Sequence, residues 1–315
     1  MMAEPNRGDE ICGDKKLPPD FFKKIKVSLH IGESLRPKEW TKNLVIFAGV
    51  LFSQNLFNLP LLFKAFLAFI TFCLLSGSVY ILNDLTDIEE DKSHPLKSNR
   101  PLAAGRLQTS HALFSLIILV PLVLGFSYYL DSAFFLIALC YFLLQVAYSF
   151  MLKHIIILDV FTISGGFLLR VIAGVAVINV EISSWFLLCT TLLSLFLGLS
   201  KRRHELVVLE KEAQNHRKVL EKYTPYLLDQ MISAVTASTI VAYALYTMSE
   251  KTIEKFGTKN LTFTIPYVLY GIFRYLYLIH QKGSGGDPGH ILLNDKPLFI
   301  DILLWVITVV IILYG

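Results

Sequence analysis

"LPLLFKAFLAFITFCLLSGSVYIL", Leu59–Leu82, runs directly into "NDLTDIEEDKSHPLKSNRPLAAG", Asn83–Gly105. The first stretch is long enough to cross a hydrocarbon core as a helix, which takes about 20 apolar residues. "LFSLIILVPLVLGFSYYL", Leu113–Leu130, is a second run of this kind. Backbone groups in lipid must bond internally, and no alternating barrel pattern is present, so these runs are helices. The chain has 315 residues, 54% of them hydrophobic, and a mean hydropathy of +0.56. That is too apolar for a soluble domain of this size. The expected fold class is all-α, a polytopic membrane protein.

Apolar runs set against polar breaks predict about nine spans, roughly 43–58, 62–83, 109–130, 132–152, 156–178, 184–200, 227–248, 261–280 and 297–314. An odd count puts the termini on opposite sides. The N-terminal segment and the loops after spans two, four, six and eight then share one face. Of the 29 Lys and Arg residues, all lie on that face except Lys64, Arg170 and Arg274 within spans and Lys251, Lys255 and Lys259 opposite. The positive-inside rule makes the loaded face cytoplasmic. The expected location is the inner (plasma) membrane, with the polar clusters facing the cytosol.

Residues 1–20 are polar, carry no cleavable signal pattern, and read as a disordered lead-in. Residues 21–42 begin with "FFKKIKVSLHIGESL", whose apolar residues fall at helical spacing opposite Lys23, Lys24 and Lys26, so this segment is expected to lie on the membrane surface. Cys12, Cys73, Cys140 and Cys189 show no CxxC pairing and read as small apolar residues, with no disulfide framework and no thiolate metal site.

Asp84, Asp87 and Asp91 are spaced by three and four. On a helix continuing from the second span they occupy about a 60° arc, with Asn83 beside it. Carboxylates this close repel at low dielectric, so a cation belongs among them, and hard oxygen ligands suit Mg²⁺. The plain alternative is a solvated acidic helix end, a reading that fits Glu89 and Glu90. Lys97, Arg100 and Arg106 follow in a loop stiffened by Pro95 and Pro101. Metal-binding carboxylates beside fixed cations are the parts of a diphosphate site.

"NDLTDIEEDKSHPLKSNRPL" resembles the first aspartate-rich motif of the UbiA superfamily of intramembrane prenyltransferases. The resemblance covers nearly the whole chain, with 43–315 as the transmembrane domain, and implies nine helices with active-site loops on the cytosolic face. Typical members carry a second aspartate-rich motif after span six. Here "LSKRRHELVVLEKEAQNHRKVLEKYT", Leu199–Thr224, offers near the helix end only Glu205 among Lys201, Arg202, Arg203 and His204, with Arg217 and Lys218 later. Together with "LRPKEWTKN" (Leu35–Asn43) and "YSFMLKHIIILD" (Tyr148–Asp159), this is similar to the decaprenyl-phosphate phosphoribosyltransferase branch.

That resemblance implies transfer of 5-phosphoribose from phosphoribosyl diphosphate to a polyprenyl phosphate, with release of diphosphate. It also implies roles. Asp84, Asp87 and Asp91, helped by Asn83, hold Mg²⁺ on the donor diphosphate. Lys42, Lys97 and Arg100 complement that group, with Arg36 opening the same stretch. Tyr148 and Lys153 line the pocket, and Lys201, Arg202, Glu205 and Arg217 attend a second phosphate. Asp159, directly after the third stretch, is a site candidate, and Arg170 either pairs structurally or marks a cavity wall. Tyr223 is as readily a solvated ring as a working one.

An aromatic prenyltransferase of the same superfamily would need the missing second aspartate cluster. A secondary transporter of an anionic metabolite would place its site near the midplane on broken helices, whereas the charge here lies at one face. No nucleic-acid partner is expected, and a homo-oligomer stays open.

Overall fold

A computed structural model describes residues 19–93, 97–181, 183–209, 220–281 and 288–315. Residues 1–18 of the expected lead-in over 1–20, and Arg217, lie outside the described residues. Helix α1, Pro19–Ser34, lays Val27 and Ile31 against Ile81, Leu102, Leu107, Ala112 and Leu116. Then comes an irregular segment, a 3₁₀ helix over Pro37–Phe47 continued by the short α2, Ala48–Phe52. Helix α3, Leu59–Thr86, is followed by α4, Ile88–Ser93, then α5, Thr109–Leu130, and α6, Ser132–Phe150. Next are α7, Leu158–Val177, α8, Ser184–Leu209, α9, Pro225–Met248, and the short α10, Glu250–Phe256. Helices α11, Ile265–Gln281, α12, Pro288–Asn294, and α13, Lys296–Tyr314, complete the order.

Eight of these segments are long and apolar enough to cross a membrane: α3, α5 to α9, α11 with its preceding 3₁₀ turn, and α13. The chain is a multi-pass, all-α membrane protein. Their ends follow local chemistry. Asp131, Thr224 and Asp295 each accept a backbone N–H at the start of α6, α9 and α13, at 2.9, 3.1 and 3.0 Å, satisfying donors that a helix start leaves open. Large apolar side chains such as Phe114, Ile117 and Leu122 of α5 and Leu303, Ile307 and Ile311 of α13 point outward, as a lipid-facing surface requires.

The expected first span, 43–58, is not a regular α-helix. Eleven 3₁₀ residues rise about 2.0 Å each and five α residues about 1.5 Å, so the segment covers about 30 Å with only 16 residues. Its contacts agree. Arg36 at its start meets Asp84 near the end of α3, and at the other end Gln54 donates to the Leu313 carbonyl at 2.9 Å. A 3₁₀ winding also aligns residues three apart, so Asn43 and Ile46 turn inward together.

Close backbone contact holds this segment in place. A Cβ on Gly174 of α7 would overlap the Ile46 carbonyl, and one on Gly49 would lie 3.0 Å from the Gly174 carbonyl oxygen. Around this contact Ile46, Val50, Ala68, Phe72, Ala138, Tyr141, Ala173 and Val177 form one core; Phe196, Leu199, Leu228, Ile232, Tyr275 and Leu278 form a second among α8, α9 and α11.

Two expectations are corrected here. The second span's helix does not run through the aspartates: it stops at Thr86, Asp87 adopts φ −108° and ψ 16°, and α4 restarts at Ile88. Lys201, Arg202 and Glu205 are not in a loop, because α8 continues past the apolar run to Leu209. Arg202 and Glu205, one turn apart, pair at 2.5 Å and support that extension.

Gly174→Ala should lower the detergent melting midpoint steeply, because backbone rather than a side chain must move. Gly125→Ala, with nothing within 4 Å of the added Cβ, should leave it unchanged. Equal midpoints would show that the segment is not held by this contact.

Candidate active site

The three aspartates are buried, with 2%, 8% and 2% exposure at Asp84, Asp87 and Asp91. Burying a carboxylate is costly unless a cation or several donors face it, and each has found one. Asp84 takes Arg36 and, at 3.1 Å, Arg100. Arg100 also bonds Asp91 at 2.5 Å, with Lys97 4.0 Å away. Lys153 bonds Asp87 at 2.5 Å. Arg36 reaches this position from a left-handed backbone, φ 50° and ψ 65°, with its guanidinium 4.7 Å over the Tyr80 ring. Asn83 accepts from Ser149 at 2.5 Å. Glu89 and Glu90 are exposed, as a solvated helix end would have them.

The helix break at Asp87 therefore matters. It sends Asp87 toward the turn after α6, where Lys153 sits, while α4 returns Asp91 to Arg100 beside Asp84. One cluster thus joins α3, α4, the start of the irregular segment, the loop after α4 and the end of α6.

As a metal site the donor set is all hard oxygen, and Asp84 Oδ2 is buried without a hydrogen-bond partner, which suits Mg²⁺. Among the described residues no three His, Cys, Asp or Glu side chains converge as a ready shell. Guanidinium and ammonium groups stand between the carboxylates instead. The chemistry fits the ion; the cations must give way to admit it.

A second cluster is built at the end of α8. Arg202 is 1% exposed; its Nε donates to Asp159 at 2.6 Å, Nη1 to Glu205 at 2.5 Å and Nη2 to the Tyr148 hydroxyl at 3.1 Å. Arg202, expected to read a phosphate, is thus engaged by two carboxylates and a phenol. Lys201 lies beside it, within electrostatic reach of Glu205, Lys42 and Tyr148, and closes no ion pair among the described residues. Lys42 pairs with Glu39.

Asp159 is aimed by an unusual turn. Ile157 has φ 71° and ψ −48°, and the Leu158 N–H meets the Ile156 carbonyl at 2.8 Å, a γ-turn of the rare positive-φ kind, strained for a β-branched residue. Tyr223 holds it. Its hydroxyl accepts the Ile157 N–H at 2.7 Å and donates to Asp159 at 2.8 Å. Burial pushes that hydroxyl up to about 12, so it remains a donor across the physiological range. Tyr223, readable as a solvated ring, is 3% exposed. Ser149 and Tyr80 were missed; their only signal is a hydroxyl in an apolar run.

Comparison with known proteins agrees with this geometry. The family model described as the UbiA prenyltransferase family matches residues 43–290. The chain belongs to this family. Decaprenyl-phosphate phosphoribosyltransferase of Corynebacterium glutamicum is 33% identical over 288 residues, 90% of this chain and 86% of that protein. The same-named protein of Mycolicibacterium smegmatis is 33% identical over 290 residues, 88% and 90% of the two chains. Among solved structures, a UbiA homolog from Archaeoglobus fulgidus bound to GPP and Mg²⁺ superposes with a TM-score of 0.69 at 19% identity, covering 91% of this chain and all of that one. That identity speaks for the UbiA fold alone.

Asp159→Ala should destabilise the chain by about 3–5 kcal/mol, because it leaves Arg202 buried against one remaining carboxylate. Glu205→Ala, at the more exposed end of the pair, should cost clearly less. Thermal unfolding in detergent measures both, and equal shifts would contradict this account of Arg202.

Proposed function

We propose that the chain transfers 5-phosphoribose from phosphoribosyl diphosphate to a polyprenyl phosphate of the decaprenyl type, releasing diphosphate. Phosphoribosyl transfer to decaprenyl phosphate is the activity carried in the names of relatives matching nearly the full chain. The observation that carries the reading is the end of α8. Where an aromatic prenyltransferase would hold a second set of aspartates, this chain carries Lys201, which closes no ion pair among the described residues, beside Arg202, which Asp159 and Glu205 hold. The site lies at one end of the bundle, which speaks against a transporter, and the clustering of Lys and Arg on that face supports a cytosolic placement.

The charges argue for a divalent cation. Arg36, Arg100 and Lys153 are matched by Asp84, Asp91 and Asp87, Lys42 by Glu39, and Arg202 by Asp159 and Glu205. A substrate bringing several phosphate charges into this nearly balanced site needs added positive charge. Mg²⁺ held by Asp84, Asp87 and Asp91, with Asn83 beside them, would supply it and stabilise the departing diphosphate.

The protein's own groups do the rest by position and charge. Arg36, Arg100 and Lys153 exchange carboxylate oxygens for diphosphate oxygens, with Lys97 at the rim. The bond from the anomeric carbon to the diphosphate oxygen breaks as an oxygen of the acceptor phosphate bonds to that carbon from the opposite face. The acceptor is already an anion, so no strong base is needed. Lys201 offers positive charge near the incoming phosphate, and Arg202 holds the helix end that carries Lys201. Catalysis is orientation and charge stabilisation.

Membranes containing the chain, given labelled phosphoribosyl diphosphate and decaprenyl phosphate, should form labelled lipid. Prenylation of an aromatic acid, with phosphoribosyl diphosphate ignored, would refute the reading. Asp87→Asn should lower turnover more than 100-fold and also lower the melting midpoint, because it leaves Lys153 buried without its carboxylate, and Lys153→Ala should lose about 10-fold or more in turnover.

A further inference from the structure

One buried cation has no part in that scheme. Arg170 lies in α7, about three turns below Asp159, and is 6% exposed. Its Nε donates to Asn43 at 2.7 Å, Nη1 to the Gly166 carbonyl at 2.9 Å and Nη2 to the Tyr141 hydroxyl at 2.8 Å. All three acceptors are neutral, and among the described residues no carboxylate pairs with it. A guanidinium carries five N–H donors, so two have no acceptor among the described residues. Tyr141, 2% exposed, accepts from Arg170, and its own O–H has no acceptor there either. Tyr80 and Lys42 stand within electrostatic reach of that hydroxyl. The result is surplus donors and positive charge with no anion, deep in a membrane bundle where an unpaired ionic group is costly.

Fastening the irregular segment through Asn43 accounts for one N–H of Arg170. Polar side chains account for a route to the others. Tyr148, Gln145 and Tyr141 share one face of α6, and Asp84, Tyr80 and Ser76 share one face of α3, by helical spacing. These stripes start at the two clusters of the site and descend toward Arg170. From Tyr148 to Tyr141 the drop is about 10 Å, comparable to a pentose with a phosphate at either end. An isoprenoid tail gains nothing from such a lining.

We infer that Arg170 and Tyr141, with Lys42 above them, bind the 5-phosphate of the donor. The sugar phosphate then enters first and leaves the diphosphate at the aspartates. The inference rests on the reaction proposed above. The same donors would suit any phosphate monoester, including the acceptor's, and the test separates the two.

Tyr141→Phe removes one hydroxyl and keeps the ring that packs 5.2 Å from Phe72. It should raise KM for phosphoribosyl diphosphate about 10-fold and leave KM for polyprenyl phosphate unchanged, with a small fall in the melting midpoint because Arg170 Nη2 loses its acceptor. Arg170→Lys should act in the same direction. With ribose 1-diphosphate, which lacks the 5-phosphate, the penalty should shrink to about twofold or less. An equal penalty with both donors, or a rise in KM for the acceptor instead, would overturn the assignment. If phosphoribosyl diphosphate is not turned over at all, the proposed reaction fails, yet the pocket can still be tested. Inorganic phosphate should then raise the melting midpoint of the wild type more than that of Tyr141→Phe, and equal shifts would overturn the pocket.

Discussion

Three carboxylates buried at one end of a membrane bundle must each be met by positive charge, and the shape of this end follows from that need. Arg36, Arg100 and Lys153 come from three separate stretches of chain, and Asp84, Asp87 and Asp91 draw them to one place. Removing one partner of a buried pair leaves an uncompensated charge, at a cost of about 3–5 kcal/mol. The aspartates therefore organise the fold of the mouth as well as its chemistry. The left-handed backbone at Arg36 and the helix break at Asp87 are the local distortions this convergence requires.

The end of α8 repeats the principle with the signs exchanged. There a single guanidinium is buried, and Asp159, Glu205 and Tyr148 gather around it. Strain at Ile157 is tolerated because Tyr223 ties both its N–H and Asp159. Beside this second cluster lies Lys201, within electrostatic reach of Lys42, and its ammonium closes no ion pair among the described residues. In the proposed reaction, a site in which most cations are already matched would discriminate by how many charges a ligand and its metal bring together.

Much of this was legible in the sequence because it rests on composition and short spacing. Leu59–Leu82 reads as a span from its apolar length, and "NDLTDIEED" reads as a charged site from the interval between carboxylates. What was illegible depends on partners remote in the chain. Nothing near Asp87 announces that Lys153 will meet it there, and the 3₁₀ segment Pro37–Phe47 is held by the close approach of Gly174 to Ile46, remote in the chain. Arg202 reads as a phosphate ligand from a run of basic residues; only the fold shows it turned inward onto Asp159. Asn43 and Tyr141 are single polar residues in apolar runs, and their meeting at Arg170 needs three elements in register.

The central claim is that the aspartate cluster, balanced by its own cations, accepts an anionic donor only together with a divalent cation. Equilibrium binding of phosphoribosyl diphosphate to the purified chain, followed as Mg²⁺ is titrated from a chelated start, tests it most directly. Affinity should be weak without Mg²⁺ and rise steeply as the ion is added, with Asp84→Asn flattening the rise. Equally tight binding in the presence of chelator, with no dependence on Mg²⁺, would contradict the account.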